Sequence, residues 1–294
     1  MKRMFAGFAA ALGLLAQTPP KTIENTGKPM TVTAECKLAD MPPLGLSCSE
    51  QEPCPLYLEL SDLELVGTKL FVVGNLHTNS ATLESIVLAS EDLGKTWFEP
   101  TPRIMGSGLD HIEFVDFENG WIGGQLQQAL PRDAFFLLSD DGGKTWRKRT
   151  VSGESQIGAI EQFHFENKTN GMMILDLIQP GENGNLYELY ESNTGGESWS
   201  VRQLSPKPIP WKYPKHLSGE FRLRPDGPSK SFRLERKQAE KWVPIASFLI
   251  SAGVCKPAEP ADVAPPAEPK ADEPPTGVFV IQQGPPSKKK PHHQ

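Results

Sequence analysis

The sequence predicts an all-β fold, a small propeller of about four blades, and three observations carry that prediction. An octet of the form Ser-x-Asp-x-Gly-x-Thr-Trp occurs as Ser90 to Trp97 and again as Ser139 to Trp146, with a worn third copy from Ser192 to Trp199. Its tryptophans, Trp97, Trp146 and Trp199, fall about fifty residues apart, a period typical of repeat architectures. Between the octets, each repeat carries an alternating apolar run, a turn at Gly67, Gly120 or Gly171, and a second apolar run. A variable loop, a strand entering the octet and a short strand leaving it complete the unit. Four strands per repeat of this length make one propeller blade.

Taken in order, the chain of 294 residues divides into four parts. Residues 1–16 place Lys2 and Arg3 ahead of an apolar run too short to span a bilayer, the layout of a secretory signal peptide. Cleavage is expected after Ala16, an uncleaved signal anchor being the alternative; no cysteine follows the run to accept a lipid. Residues 17–55 form an irregular, proline-punctuated lead with one β-like run, MTVTAEC. Residues 56–250 hold the repeats, the fourth a degraded copy without an octet but with Trp242 ending a strand-turn-strand pattern. Residues 251–294 read as a disordered tail rich in proline and charge. Within it, the β-prone run TGVFVIQQ is either a strand added to an exposed sheet edge or a fluctuation of composition.

A formal net charge of −6, with 38% hydrophobic and 22% charged residues, suits an ordinary globular protein and offers no basic footprint for nucleic acid. The one cationic cluster, Lys288 to Lys290, lies in the tail. No further stretch is long and apolar enough to cross a membrane, so the mature chain is expected to be exported, periplasmic or extracellular. Export gives Cys36, Cys48, Cys54 and Cys255 meaning, and four cysteines allow three pairings. Cys48 and Cys54 close a short loop, while Cys36 and Cys255 bracket the repeats and, if paired, would staple the first element to the last. Four reduced thiols are the alternative; a zinc site lacks any CxxC or His-x-His grouping.

Every residue of the octet has structural work to do. Asp92 and Asp141 can accept hydrogen bonds from amides two or three residues on, as in an Asx-turn. Gly94, Gly143 and Gly196 supply positive φ, and Ser90, Thr96, Ser139, Thr145 and Ser192 complete the turn. Trp97, Trp146 and Trp199 can pack between turn and sheet. These octets, with Phe114-Val115-Asp116 and Gly120-Trp121 ahead of the second, resemble the Asp-box, or bacterial neuraminidase, repeat propellers. The longer pattern is most similar to photosystem II assembly and stability factor propellers, and more distantly to sortilin and the sialidases. The resemblance spans about residues 56–250 and implies fold more than function, because in that family the box sits on blade hairpins away from the ligand face.

A sialidase-like site would need clustered arginines, an activated tyrosine and a carboxylate acid/base. The nearest string to the family's Phe-Arg-Ile-Pro is Pro102-Arg103-Ile104-Met105, on the wrong side of the first octet. In Tyr187-Glu188-Leu189-Tyr190-Glu191, alternation divides tyrosines and glutamates between two faces as in any blade strand. His77, His111, His164 and His216 lie one per repeat without metal-ligand spacing, and Asp140-Asp141-Gly142-Gly143 lacks the spaced oxygen ligands of a calcium loop. His292 and His293 offer only a weak tail site, and Asn167-Lys168-Thr169 is a glycosylation sequon where the secreting cell glycosylates. No catalytic, metal or cofactor residue is therefore assigned. The expected protein is a non-catalytic binding or assembly module with an envelope or secreted protein as partner. A glycan-active enzyme and a carbohydrate-binding module are the alternatives, and solvent exposure of Trp121 and Trp211 would favour the latter. A closed ring of four blades is expected, against an open arc or a fifth partial blade built from MTVTAEC and TGVFVIQQ.

Overall fold

The structure is a computed structural model that describes residues 21–34, 36–181, 184–211, 220–227, 230–250 and 253–255. The expected leader, the tail beyond Cys255 with its TGVFVIQQ run, and His216 lie outside the described residues. Within them the chain is built from strands, with two single-turn 3-10 segments, Leu38–Asp40 and Pro42–Leu44, in the lead.

The lead supplies three short strands, β1 (Ile23–Glu24), β2 (Met30–Val32) and β3 (Cys54–Pro55). The first blade follows as β4 (Tyr57–Val66), β5 (Lys69–His77), β6 (Thr82–Ser90) and β7 (Thr96–Trp97). The second is β8 (Ser107–Phe114), β9 (Gly120–Gln127), β10 (Pro131–Ser139) and β11 (Arg147–Thr150). The third is β12 (Ala159–Phe165), β13 (Gly171–Asp176), β14 (Tyr187–Ser192) and β15 (Ser200–Ser205). The fourth consists of β16 (Phe221–Asp226), β17 (Ser231–Gln238) and β18 (Lys241–Ile250), and β19 (Val254–Cys255) ends the described chain. The second and third blades are four-stranded antiparallel meanders in sequence order; in the first, β4, β5 and β6 form the sheet and the segment after the octet meets it through the isolated Ala89–Phe98 bridge.

The last blade lacks an outer strand of its own, and β2 takes that place, pairing parallel to β18 through Met30↔Phe248 and Val32↔Ile250. The MTVTAEC run thus completes the fourth blade rather than starting a fifth. Meanwhile β1 pairs with β7 through Ile23↔Trp97, so the lead covers sheet edges of the fourth and first blades together. Residues 251–294 are not wholly tail: β19 pairs with β3, and Cys255 is bonded to Cys36 while Cys48 is bonded to Cys54.

Stacking gives the first and second blades a packed neighbour on both faces, and the third and fourth on one. Leu60, Leu63, Leu88 and Trp97 of the first blade pack against Phe221, Leu234 and Phe248 of the fourth. Phe71 and Val73 pack against Ile112, Phe114 and Phe135 of the second, and Phe136 and Leu138 against Phe163, Phe165 and Met173 of the third. Apolar packing therefore runs from fourth to first to second to third. Among the described residues, none of these clusters joins the third blade to the fourth.

Three inner strands carry a β-bulge at the same level, between Leu60 and Asp62, Leu109 and His111, and Ile160 and Gln162. A bulge adds one residue and reverses the side-chain phase beyond it. In β4, Leu58 and Leu60 before the bulge and Leu63 beyond it all face the fourth blade. Asp62 and Glu64 are thereby turned toward the second blade, where Asp62 Oδ2 accepts the Ile112 amide at 3.1 Å. In β8 the same shift points Glu113 at the third blade.

Candidate functional site: a cavity at the hub of the blades

The octets form the turns that close the outer hairpins. In the first, the Ser90 hydroxyl donates to Asp92 Oδ1 at 2.8 Å and accepts the Gly94 amide at 2.8 Å. Asp92 Oδ1 accepts the Lys95 and Thr96 amides at 3.0 and 2.9 Å, and Oδ2 the Thr96 hydroxyl at 2.8 Å. Ser139, Asp141, Gly143, Lys144 and Thr145 repeat this network within 0.2 Å. Gly143 sits at φ +79°, and a Cβ there would come within 2.4 Å of the Phe71 ring, so glycine is required on both counts. The Trp97 and Trp146 indoles donate to the Gly94 and Gly143 carbonyls at 3.0 and 3.1 Å. Burial works against the charge on Asp92 and Asp141, but the hydrogen bonds outweigh it and hold both carboxyls below the ordinary range.

The third octet keeps the turn with a weaker acceptor. Ser192 accepts the Gly196 amide at 2.9 Å, and the Thr194 hydroxyl takes the Ser198 amide at 3.0 Å. One hydroxyl cannot accept what two carboxylate oxygens accept. Thr194→Asp is therefore expected to stabilise the protein by about 1 kcal/mol, the net worth of one hydrogen bond or slightly more. Because the new carboxyl would titrate below its unfolded value, the gain should be complete above about pH 4 and vanish as pH falls further. Urea titrations at pH 7 and pH 3 check this; an equal gain at both would mean that charge plays no part.

The chemistry the sequence did not single out lies at the hub. Residues of all four inner strands, β4, β8, β12 and β16, line one cavity of about 400 Å³. Ser61 and Glu161, the extra residues of two bulges, are exposed at its mouth, and Glu64 and Glu113 lie deep, 7% and 5% exposed. Asp62 is committed to backbone, accepting the Leu63 amide at 2.9 Å as well as that of Ile112. Glu113 Oε1 lies 2.6 Å from His164 Nδ1 and also accepts a backbone hydrogen bond from Phe165. Glu64 makes no side-chain hydrogen bond or ion pair among the described residues.

Burial, reinforced by Asp62 and then by Glu113, raises the Glu64 carboxyl to about 8. Burial also raises Glu113 to about 8, opposed by the Phe165 amide and aided by Asp62. Both groups thus hold protons well above the ordinary carboxylate range. His164, which has no metal-ligand spacing in the sequence, is joined by the fold to a buried glutamate of the neighbouring blade.

The remaining candidates are structural. Arg103 is held by Glu84 at 2.5 Å and by Glu99 at 2.8 and 2.7 Å, which raises its pKa despite burial. Tyr190 donates to Glu188 at 2.6 Å, and burial together with that carboxylate raises its phenol, the opposite of an activated nucleophile. His77 meets the Thr78 carbonyl at 2.9 Å, and His111 lies edge-on to Phe163 in the hub wall. Trp121 is 3% exposed, stacked on Phe165 at 3.7 Å, and donates to the Gly195 carbonyl at 2.8 Å, so it has no face to offer a sugar. Trp211 is half-buried near His164. No group of three or more His, Cys, Asp or Glu could hold a metal among the described residues. Nor is any described helix long and apolar enough to cross a membrane.

Fold and site together define an all-β propeller with hydrogen-bonded Ser/Asp turns and a carboxyl-lined hub. No protein-family model matches the chain, and no curated protein matches it either. Solved structures to which it is similar include YCF48 bound to a D1 peptide, at 16% identity over 65% of this chain and 56% of that one, TM-score 0.38. YCF48 from Cyanidioschyzon merolae matches at 15% identity over 65% and 59%, TM-score 0.34. An α-L-arabinanase from Penicillium chrysogenum matches at 12% identity over 76% and 66%, TM-score 0.33. This chain therefore spans less than two thirds of the YCF48 chains.

Proposed function

We propose that this chain is a non-catalytic, exported binding module of the Asp-box propeller type, acting on an envelope or secreted protein partner. One observation carries the choice: of the three hub carboxyls that lie inside the pocket, Asp62, Glu64 and Glu113, only Glu64 is uncommitted, while the fourth, Glu161, stands exposed at the mouth. Glycoside hydrolysis needs two carboxyls free to reach one bond, one protonated and one ionised. Here Asp62 is tied to two backbone amides and Glu113 to His164, while Glu64 and Glu113 are pushed to the same side of neutrality. A single free carboxyl inside the pocket can bind but cannot by itself divide the acid and base roles.

Sugar binding through stacked tryptophan is also disfavoured, since Trp121 is spent on Phe165. Two disulfides support export, because such bonds persist in oxidising compartments. In this reading residues 1–16 are the leader and the segment beyond Cys255 is an appended tail. The test is affinity capture from native envelope by the full exported chain, beside incubation with arabinan, xyloglucan and sialosides. One discrete protein partner and no sugar release are expected. Sugar release that disappears in Glu64→Gln would overturn the proposal in favour of a glycosidase.

A further inference from the structure

The hub is a pocket built for one cationic side chain. We propose that it binds the guanidinium or ammonium group of an arginine or lysine on the partner, with Glu64 as the receiving carboxylate. This rests on the binding-module reading and names the chemistry of its partner. Glu64 is over nine-tenths buried, faces a cavity of about 400 Å³ and has no partner among the described residues, an arrangement costly to keep unless something fills it.

The other charged groups around the pocket favour a cation. Asp62 lies on the same strand and Glu161 stands exposed at the mouth. Across the pocket, His111 and Glu113 come from β8, with His164 behind Glu113, and the one lining arginine, Arg222, is held by Glu235 at 2.7 Å. An anion would enter beside Asp62 and Glu161 with no free positive group among the lining residues, whereas a cation meets a carboxyl in reach and acidic walls.

The step balances simply. The Glu64 carboxyl gives its proton to solvent and pairs with the incoming cation, whose own protons stay in place. Because the empty pocket holds that proton up to about pH 8, each bound cation should release one proton at pH 6 to 7 and almost none at pH 9. Affinity should accordingly rise about tenfold per pH unit below 8.

Isothermal titration of the full chain with N-acetyl-arginine amide and N-acetyl-lysine amide tests this, with N-acetyl-citrulline amide as the neutral control and two buffers of different protonation enthalpy to count protons. At least one cation should bind tenfold or more tightly than citrulline, with proton release, and Glu64→Gln should lose that preference. Glutamine is isosteric with the protonated carboxyl, so thermal melting should show the variant folded. Ser61→Lys, at the exposed mouth, should weaken binding independently of any change in the interior.

Citrulline binding equal to that of the cations, an unaltered Glu64→Gln, or no binding by either amino-acid probe would overturn the assignment. Binding of putrescine with exclusion of both amino-acid probes would also overturn it, since the source would then be a free amine. Partner capture that survives Glu64→Gln would sink this site alone; failure of the unaltered chain to capture any protein would sink the module reading itself.

Discussion

Trp97→Ala is expected to cost about 4 kcal/mol, the range found when a buried tryptophan is truncated in a core that cannot collapse around the loss. Trp97 is fully buried where the fourth blade meets the first, edge-on to Phe248 at 4.9 Å, with its indole N–H on the Gly94 carbonyl. It also pairs in register with Ile23, so its loss loosens turn, blade interface and lead together. Trp146 and Trp199 occupy the same place in later octets but are half-buried, and the Trp199 indole finds no acceptor among the described residues. Their alanine variants should cost roughly half as much, in proportion to the apolar area removed from water. Guanidinium midpoints of the three variants decide this; a Trp97 loss no larger than that of Trp146 would mean that the interface between the first and last blades is not where stability concentrates. Against a typical total of about 5 to 15 kcal/mol, the Trp97 loss would leave the fold near its threshold.

The contrast among the three tryptophans shows what the sequence made legible. The octets announced the hairpin turns because local hydrogen bonds dictate them: Asp92 and Asp141 need only residues within four positions along the chain. The repeat period announced the blades for the same reason. The unequal burial of Trp97, Trp146 and Trp199 was not legible, since it depends on which blade lies opposite. The hub was hidden by a different cause. In β4 the glutamates and aspartate read as the solvated face of an alternating strand, the usual meaning of that pattern. The first blade packs against a neighbour on each face, and a bulge at Ser61 shifts the phase so that Asp62 and Glu64 turn to the next blade. Glu113 and His164 stand 51 residues apart, and nothing local to either announces the other. A polar residue interrupting an apolar run just after a Gly-free bulge candidate, as in LELSDLELV and LDHIEFV, is the trace that could have raised the hub residues.

The lead was read as irregular for a related reason. Three residues of β2 carry too little pattern to reveal a partner more than two hundred positions away. Yet this distant pairing, with the Cys36–Cys255 bond just beyond it, is what joins the lead to the last described strands.

That bond is the second place where a large effect is expected. Cys36 and Cys255 are separated by 219 positions, Cys48 and Cys54 by 6. If a cross-link acts by removing loop-closure entropy from the unfolded chain, the long loop is worth about 5 kcal/mol and the short one about 2 kcal/mol. Cys36→Ser with Cys255→Ser should therefore lower the guanidinium midpoint by more than twice the shift of Cys48→Ser with Cys54→Ser. The native contacts at the closure remain in the first variant: β2 still pairs with β18, and Leu60 and Trp97 still pack on Phe248. A loss as large as predicted would then come from the unfolded chain rather than from broken packing. Reductant added to the unaltered protein gives the same answer by a second route, since it should bring the midpoint down to that of the four-serine variant and no further. If the short loop proved the costlier to open, the stabilisation would have to be local to the apolar cluster of Met41, Leu46, Cys48 and Leu56, and the lead would be a small core in its own right rather than the strap of a ring.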